Sequence, residues 1–211
     1  MLFHFLYHRS IRFDNYRGYG MHLKTSSIKS FLILCLLVTW TTFPLITHSY
    51  AREPIRTVTG SVTKVSDGDT IQIITPEQTK LRVRLYGIDA PETSKIDQRT
   101  SRVNKPGQPY GKESREALDR KITGKQVRLD IIDIDQYKRM VGMIWIGDRN
   151  INLEMVKEGY AEAYLDYLKD PYRIQFIRAE KEAKSAKRGI WALPGYERPK
   201  DFRKRLKIRG S

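Results

Sequence analysis

At 211 residues the chain has room for one ordinary domain with appended segments and is too short for two large cores. Its 39 basic and 24 acidic residues give a formal charge of +15 and a pI near 9.9, which favours a polyanionic partner, either nucleic acid or an anionic membrane surface. The single cysteine, Cys35, excludes a disulfide framework and keeps thiolate chemistry out of the body of the chain.

Residues 1–50 hold one acidic residue, Asp14, and five basic ones, so residues 51–211 still carry +11 and the basic character belongs to the body. The apolar run Phe31-Leu32-Ile33-Leu34-Cys35-Leu36-Leu37-Val38 follows Lys24 and Lys29, continues through Ile46, and meets Ser49-Tyr50-Ala51. A positive flank, a short apolar stretch and a small-x-small site describe a secretory signal peptide, with cleavage expected after Ala51 and a secreted or periplasmic product. The competing reading is a retained membrane anchor, which would have to span on a stretch shorter than the ~20 residues usually needed. Met21 is a second possible start that would give the signal peptide ordinary proportions. Leu32-Ile33-Leu34 lacks the small residues of a lipoprotein processing site, so no lipid is expected on Cys35.

From residue 55 the pattern turns to short strands. Residues 57–65 alternate β-branched with polar side chains, Ser66-Asp67-Gly68-Asp69 signals a turn, and 70–74 return. Residues 80–86 alternate strictly, placing Leu81, Val83 and Leu85 on one face and Arg82, Arg84 and Tyr86 on the other, which completes a three-strand meander. Residues 94–109, with Lys95, Arg99, Arg102, Lys105 and two prolines, read as a mobile basic loop. A helix is predicted over 111–122, then strands over 126–132 and 140–145, a short helix over 152–158 ended by Gly159, and a longer one over 171–187. Five strands interrupted by a helix and followed by helices predict an α+β chain built on a five-stranded oligonucleotide-binding (OB-fold) β-barrel with three helices. The domain layout is an N-terminal segment over 1–51, one barrel domain over 54–197, and a basic tail over 198–211 expected to be disordered.

The chemistry gathers in three stretches: Asp67-Gly68-Asp69-Thr70, Arg84-Leu85-Tyr86-Gly87-Ile88-Asp89-Ala90-Pro91-Glu92-Thr93, and Tyr137-Lys138-Arg139. Taken alone, the first is a hairpin turn and the second a capped loop. If the first three strands pair, however, the first turn lies beside the loop after the third strand. Asp69 and Asp89 then face each other and call for a cation between them. An all-oxygen site completed by carbonyl and water suits Ca²⁺ better than Mg²⁺. Glu92 can take a proton from water, and the forked guanidinium groups of Arg84 and Arg139 can bind a phosphate bidentately.

These segments, with Tyr110-Gly111, Asn152-Leu153-Glu154-Met155-Val156-Lys157-Glu158-Gly159 and Arg188-Gly189-Ile190-Trp191, occur in the order found in the staphylococcal nuclease (thermonuclease) family, which the chain resembles over about residues 54–197. The resemblance implies a calcium-dependent nuclease acting on DNA and RNA and leaving 3′-phosphorylated ends. It also implies Asp69, Asp89 and the Ala90 carbonyl as calcium ligands, Asp67 as an acid behind them, Glu92 as the base, and Arg84 and Arg139 as phosphate clamps. Lys138 stands where the family has glycine, and Ala90 where the best-known member has threonine. Tyr137 and Lys138 are candidate nucleotide contacts, and Tyr164 and Tyr167 are alternative stacking platforms. No protein partner is implied, a monomer is expected, and the membrane enters only through the signal peptide before its cleavage. Two rivals remain open at this point: a binding module that holds single strands without cutting them, and a tethered protein whose basic surface meets anionic lipid.

Overall fold

The computed structural model describes residues 54–209, so the signal-peptide and anchor readings, Met21 and Cys35 lie outside the described residues. Strands β1 (Arg56–Asp67), β2 (Thr70–Ile74) and β3 (Lys80–Leu85) form the expected antiparallel meander. Two short strands follow, β4 (Ile88–Asp89) and the first arm of a ribbon, β5 (Lys95–Ile96), which pairs with β6 (Val103–Lys105). Helix α1 (Gly111–Ile122) leads to β7 (Gln126–Ile134), β8 (Met140–Ile146) and β9 (Arg149–Asn150). Then come α2 (Ile151–Lys157), β10 (Glu162–Ala163), α3 (Tyr172–Ser185) and α4 (Pro199–Arg209).

β1 is long enough to serve two neighbours. Its first half pairs with β7 and its second with β2, and register shifts between Val62 and Lys64 and between Val65 and Asp67 bend it across the join. The order β3-β2-β1-β7-β8 closes when β8 pairs in parallel with β3, Arg84 opposite Val141, giving the five-stranded barrel expected of the sequence. Ile71, Ile73, Val83, Leu85, Leu129, Met143 and Ile144 fill it, each almost wholly buried. Leu118 and Ile122 of α1, Met155 and Val156 of α2, and Phe176 of α3 extend the same core.

The helix boundaries have local causes. α1 carries Glu113 in its first turn and Arg120 and Lys121 in its last, matching the helix dipole. Asn150 caps α2, its side chain accepting from the Leu153 N–H at 3.1 Å. Gly159 and Gly189 meet backbone to backbone with φ of 78° and 53°, and the Ile190 N–H donates to the Gly159 carbonyl at 2.9 Å. A Cβ on Gly189 would run into the Gly159 backbone and one on Gly159 into the Arg188 carbonyl, which is why the two glycine-containing segments of the sequence belong to one contact.

Three expectations are corrected. β3 stops at Leu85, so Tyr86 does not continue the polar face; it turns inward, is buried, and donates its hydroxyl to the Tyr167 carbonyl at 2.7 Å. Residues 94–109 contain the β5–β6 ribbon, tied down by Lys95 and Lys105. The basic tail is a fourth helix: Pro199 occupies the first helical position, Asp201 lies in the first turn, and Phe202 is only 4% exposed. One apolar anchor and a set of ion pairs to the barrel order a segment that composition alone marks as too charged to fold.

Candidate active site

Asp69 closes the β1–β2 turn and opens β2, where Thr70 pairs opposite Arg84 of β3. The Asp69 carbonyl accepts from the Leu85 N–H at 2.8 Å, and its carboxylate reaches across to accept from the Ala90 N–H at 2.9 Å. The turn after β1 is thereby stitched to the loop after β4. Asp89 is set in place from the other side, because β4 pairs with β10 and puts Asp89 opposite Glu162. Both carboxylates are buried, 5% and 2% exposed, and one guanidinium spans them. Arg84 Nη1 pairs with Asp69 Oδ2, while Nη2 lies 2.9 Å from Asp89 Oδ1 and 3.3 Å from the Ile88 carbonyl. The meander therefore brings the two acids together as the sequence predicted, within the width of a single guanidinium.

Glu92 is held by its backbone. Its N–H donates to Gln108 Oε1 at 3.0 Å and its carbonyl accepts from the Gln108 N–H at 2.8 Å, and Gly111 packs so closely that a Cβ there would strike the Glu92 carbonyl. Its carboxylate accepts from Lys105 Nζ at 2.5 Å and from Arg203 Nη1 at 3.0 Å. Burial pushes the Glu92 carboxyl up, yet the hydrogen bonds from Lys105 and Arg203 outweigh it and hold the group below the ordinary carboxylate value. Burial works on Arg84 in the opposite sense and lowers its pKa against the pull of Asp89, but a guanidinium starts so high that it stays charged.

Arg203 is the residue the sequence reading missed. It comes from α4 and grips Asp89 with both terminal nitrogens, Nη1 to Oδ1 at 3.0 Å and Nη2 to Oδ2 at 2.8 Å. Its desolvation is more than offset by Asp89 and Glu92, so its pKa is raised. The signal was Pro199 followed by Phe202 and Leu206 at helical spacing. Lys105 and Gln108 carried no such signal, since each acts through a chain reversal that periodicity does not reveal.

The remaining predicted residues lie around this centre. Asp67 takes Lys95 Nζ at 2.8 Å on both oxygens, with the Thr93 N–H at 3.3 Å. Arg139 sits in the β7–β8 turn, held by Asp135 at 2.7 Å, with its guanidinium carbon 5.6 Å from the centre of the exposed Tyr137 ring. Lys138 has φ of 58°, a left-handed conformation that glycine adopts freely and a lysine only rarely. Tyr164 and Tyr167 pack against each other at a tilt of 49° with ring centres 5.0 Å apart, Tyr164 half-buried and Tyr167 63% exposed. Burial raises the Tyr164 pKa, with further contributions from Tyr167 and from the Asp89 charge. A cleft of about 740 Å³ adjoins the centre, lined by Lys64, Arg82, Lys95, Lys112, Arg115 and Arg139 among others.

The donor set fits a hard divalent cation: two buried carboxylates converge beside the Ala90 backbone, with oxygen as the only ligand type. Among the described residues no cluster of three or more His, Cys, Asp and Glu side chains is arranged to hold a metal, so carbonyl, water and substrate oxygens must complete any such shell.

Residues 82–193 match the family model described as staphylococcal nuclease homologue. A probable staphylococcal-like nuclease of Oryza sativa subsp. japonica is 41% identical over 125 residues, 59% of this chain and 29% of that protein, so the chain spans under a third of the rice relative. A thermonuclease of Staphylococcus intermedius is 40% identical over 132 residues, 62% of this chain and 74% of that protein. An uncharacterized endonuclease of Haemophilus influenzae is 35% identical over 147 residues, covering 70% of this chain and 74% of that protein. With the barrel, the paired acids and these matches in hand, the chain belongs to the staphylococcal nuclease homologue family.

Proposed function

We propose that the protein is a nuclease that hydrolyses phosphodiester bonds of DNA and RNA with little base specificity, depends on Ca²⁺, and leaves 3′-phosphorylated ends. The observation that carries this reading is the convergence of Asp69 and Asp89 on the Arg84 guanidinium at the end of β3, with Glu92 joined to Asp89 through Arg203. Relatives named as thermonuclease and endonuclease support it.

In the reaction, Glu92 orients a water in line with the bond to be broken and accepts its proton as the oxygen attacks phosphorus. Negative charge grows on the equatorial phosphate oxygens, where the forks of Arg84 and Arg139 bind it, and the 5′ oxygen departs as the leaving group. Asp69, Asp89 and the Ala90 carbonyl would hold the cation, which supplies Lewis-acid stabilisation of that charge when bound. Tyr164 or Tyr167 offers a stacking face, and Lys138, Tyr137 and the basic cleft follow the backbone; contacts of these kinds do not read sequence. The apolar run before Ala51 supports export, to the periplasm or beyond, and the enzyme acts as a monomer.

The test is hydrolysis of single-stranded DNA by the full chain with Ca²⁺ titrated against a chelator and Glu92→Gln in parallel. Calcium-dependent cutting that the variant loses is expected. Binding without cutting at every calcium level would make the protein a binding module instead.

A further inference from the structure

We infer that Arg203 competes with the divalent cation for Asp89, making α4 a built-in plug of the site that must withdraw before the cation and substrate are bound; this rests on the nuclease reading above. Asp89 Oδ1 accepts from both Arg84 and Arg203, and Oδ2 accepts from Arg203. Those are the lone pairs a coordinated cation needs. The same guanidinium also takes Oε1 of Glu92, while Lys105 takes Oε2, so both oxygens that could accept a proton from water are engaged. One side chain therefore blocks two separate roles.

Charge supports the competition. The carboxylates of Asp69, Asp89 and Glu92 are balanced by Arg84, Arg203 and Lys105, while the neighbouring Glu162 and Asp135 are matched by Arg198 and Arg139. Adding a divalent cation to that half-buried group leaves a surplus of two positive charges. Replacing Arg203 by one phosphodiester restores neutrality.

The two arginines are unequal in how they can leave. Arg84 is fixed on β3 inside the barrel sheet and also bonds the Ile88 carbonyl. Arg203 rides on a helix near the end of the described chain, anchored by Phe202, by Arg198 on Glu162 and by Lys200 on Asp166, the last a pair exposed on both sides. Exposed pairs of that kind hold weakly and are screened by salt. By linkage, whatever factor α4 costs the cation in affinity, the cation costs α4 in docking.

Calcium binding to the full chain, measured by calorimetry without nucleic acid, tests this. Arg203→Ala, and independently Phe202→Ala, which undocks the helix while keeping the arginine, should each tighten calcium on the order of tenfold or more. Hydrogen exchange of the α4 amides in the wild type should accelerate as calcium saturates. Equal or weaker calcium binding in both variants, with α4 protection unchanged at saturation, overturns the plug and leaves calcium-dependent hydrolysis standing. No calcium binding by any of the three proteins overturns the plug together with the metal part of the nuclease reading.

Discussion

The Arg203 guanidinium meets the Asp89 carboxylate edge to edge, with nitrogen–oxygen distances of 3.0 and 2.8 Å across 114 residues of chain. It joins the last helix to a two-residue strand in the middle of the barrel domain, and through Glu92 it reaches the loop that follows. Parallel pairs of this geometry are the strong form of the ion pair. The ordering of a highly charged helix and the arrangement of the candidate catalytic acids are consequently one structural event.

Arg84 bridges Asp69 and Asp89 with the two arms of a planar fork, which a lysine cannot reproduce. Arg84→Lys keeps the charge and loses the fork, so kcat/KM on single-stranded DNA should fall by about a hundredfold or more, the cost of ~3 kcal/mol typical of one lost transition-state donor. Activity within a few-fold of wild type would remove Arg84 from the phosphate-binding role.

Glu92 has a depressed folded pKa, because the bonds from Lys105 and Arg203 overcome its burial. A depressed carboxyl contributes stability that is present above its unfolded value, about 4.3, and is lost as pH falls through the lower folded value. Wild type should therefore melt higher than Glu92→Gln at pH 7, with the gap closing below about pH 4. A gap of constant size across that range would mean the two cations do not hold Glu92 ionised.

Gly111 lies against the Glu92 carbonyl with no room for a side chain. Gly111→Ala forces the Glu92 loop and the start of α1 apart, at a cost of roughly 1–3 kcal/mol in stability. Because the displaced backbone carries the proposed base, turnover should drop as well. Thermal melting and kcat measured on the same preparation check the pair of effects.

Asn152 is wholly buried and serves three strangers at once: its Nδ2 donates to the Tyr86 and Gly142 carbonyls at 2.9 and 3.1 Å, and its Oδ1 accepts from the Ile144 N–H at 3.0 Å. It pins α2 to β8 and to the chain leaving β3. Asn152→Ala removes three hydrogen bonds to buried backbone; the Gly142 carbonyl keeps the Tyr86 N–H at 2.8 Å, and each backbone group left unpaired costs about 1–3 kcal/mol. The urea midpoint should fall steeply with the slope of the transition unchanged.

The barrel was legible because its information is local. Alternation over β3, the Asp-Gly turn before β2 and the glycine after α2 each specify a short piece of backbone, and the order of the pieces limits how they can pair. The acids Asp69 and Asp89 followed from that pairing, since a meander places its first turn beside the loop after its third strand. Tyr86 shows the limit: alternation continues through it on paper, but the parallel closure of β8 onto β3 ends the strand at Leu85 and sends the ring inward.

What the sequence determined by itself was the barrel and the meander that brings Asp69, Asp89 and Arg84 together. The tertiary structure alone decided which charges neutralise which. Lys105 and Gln108 reach Glu92 from the stretch between the end of β6 and α1 and Arg203 from α4, and Arg203 becomes helical only because Phe202 finds a buried seat and Asp89 offers both its oxygens. Composition marks the tail as a solvated polycation; a guanidinium gains order only where burial and an opposing carboxylate coincide, and that coincidence exists only in three dimensions.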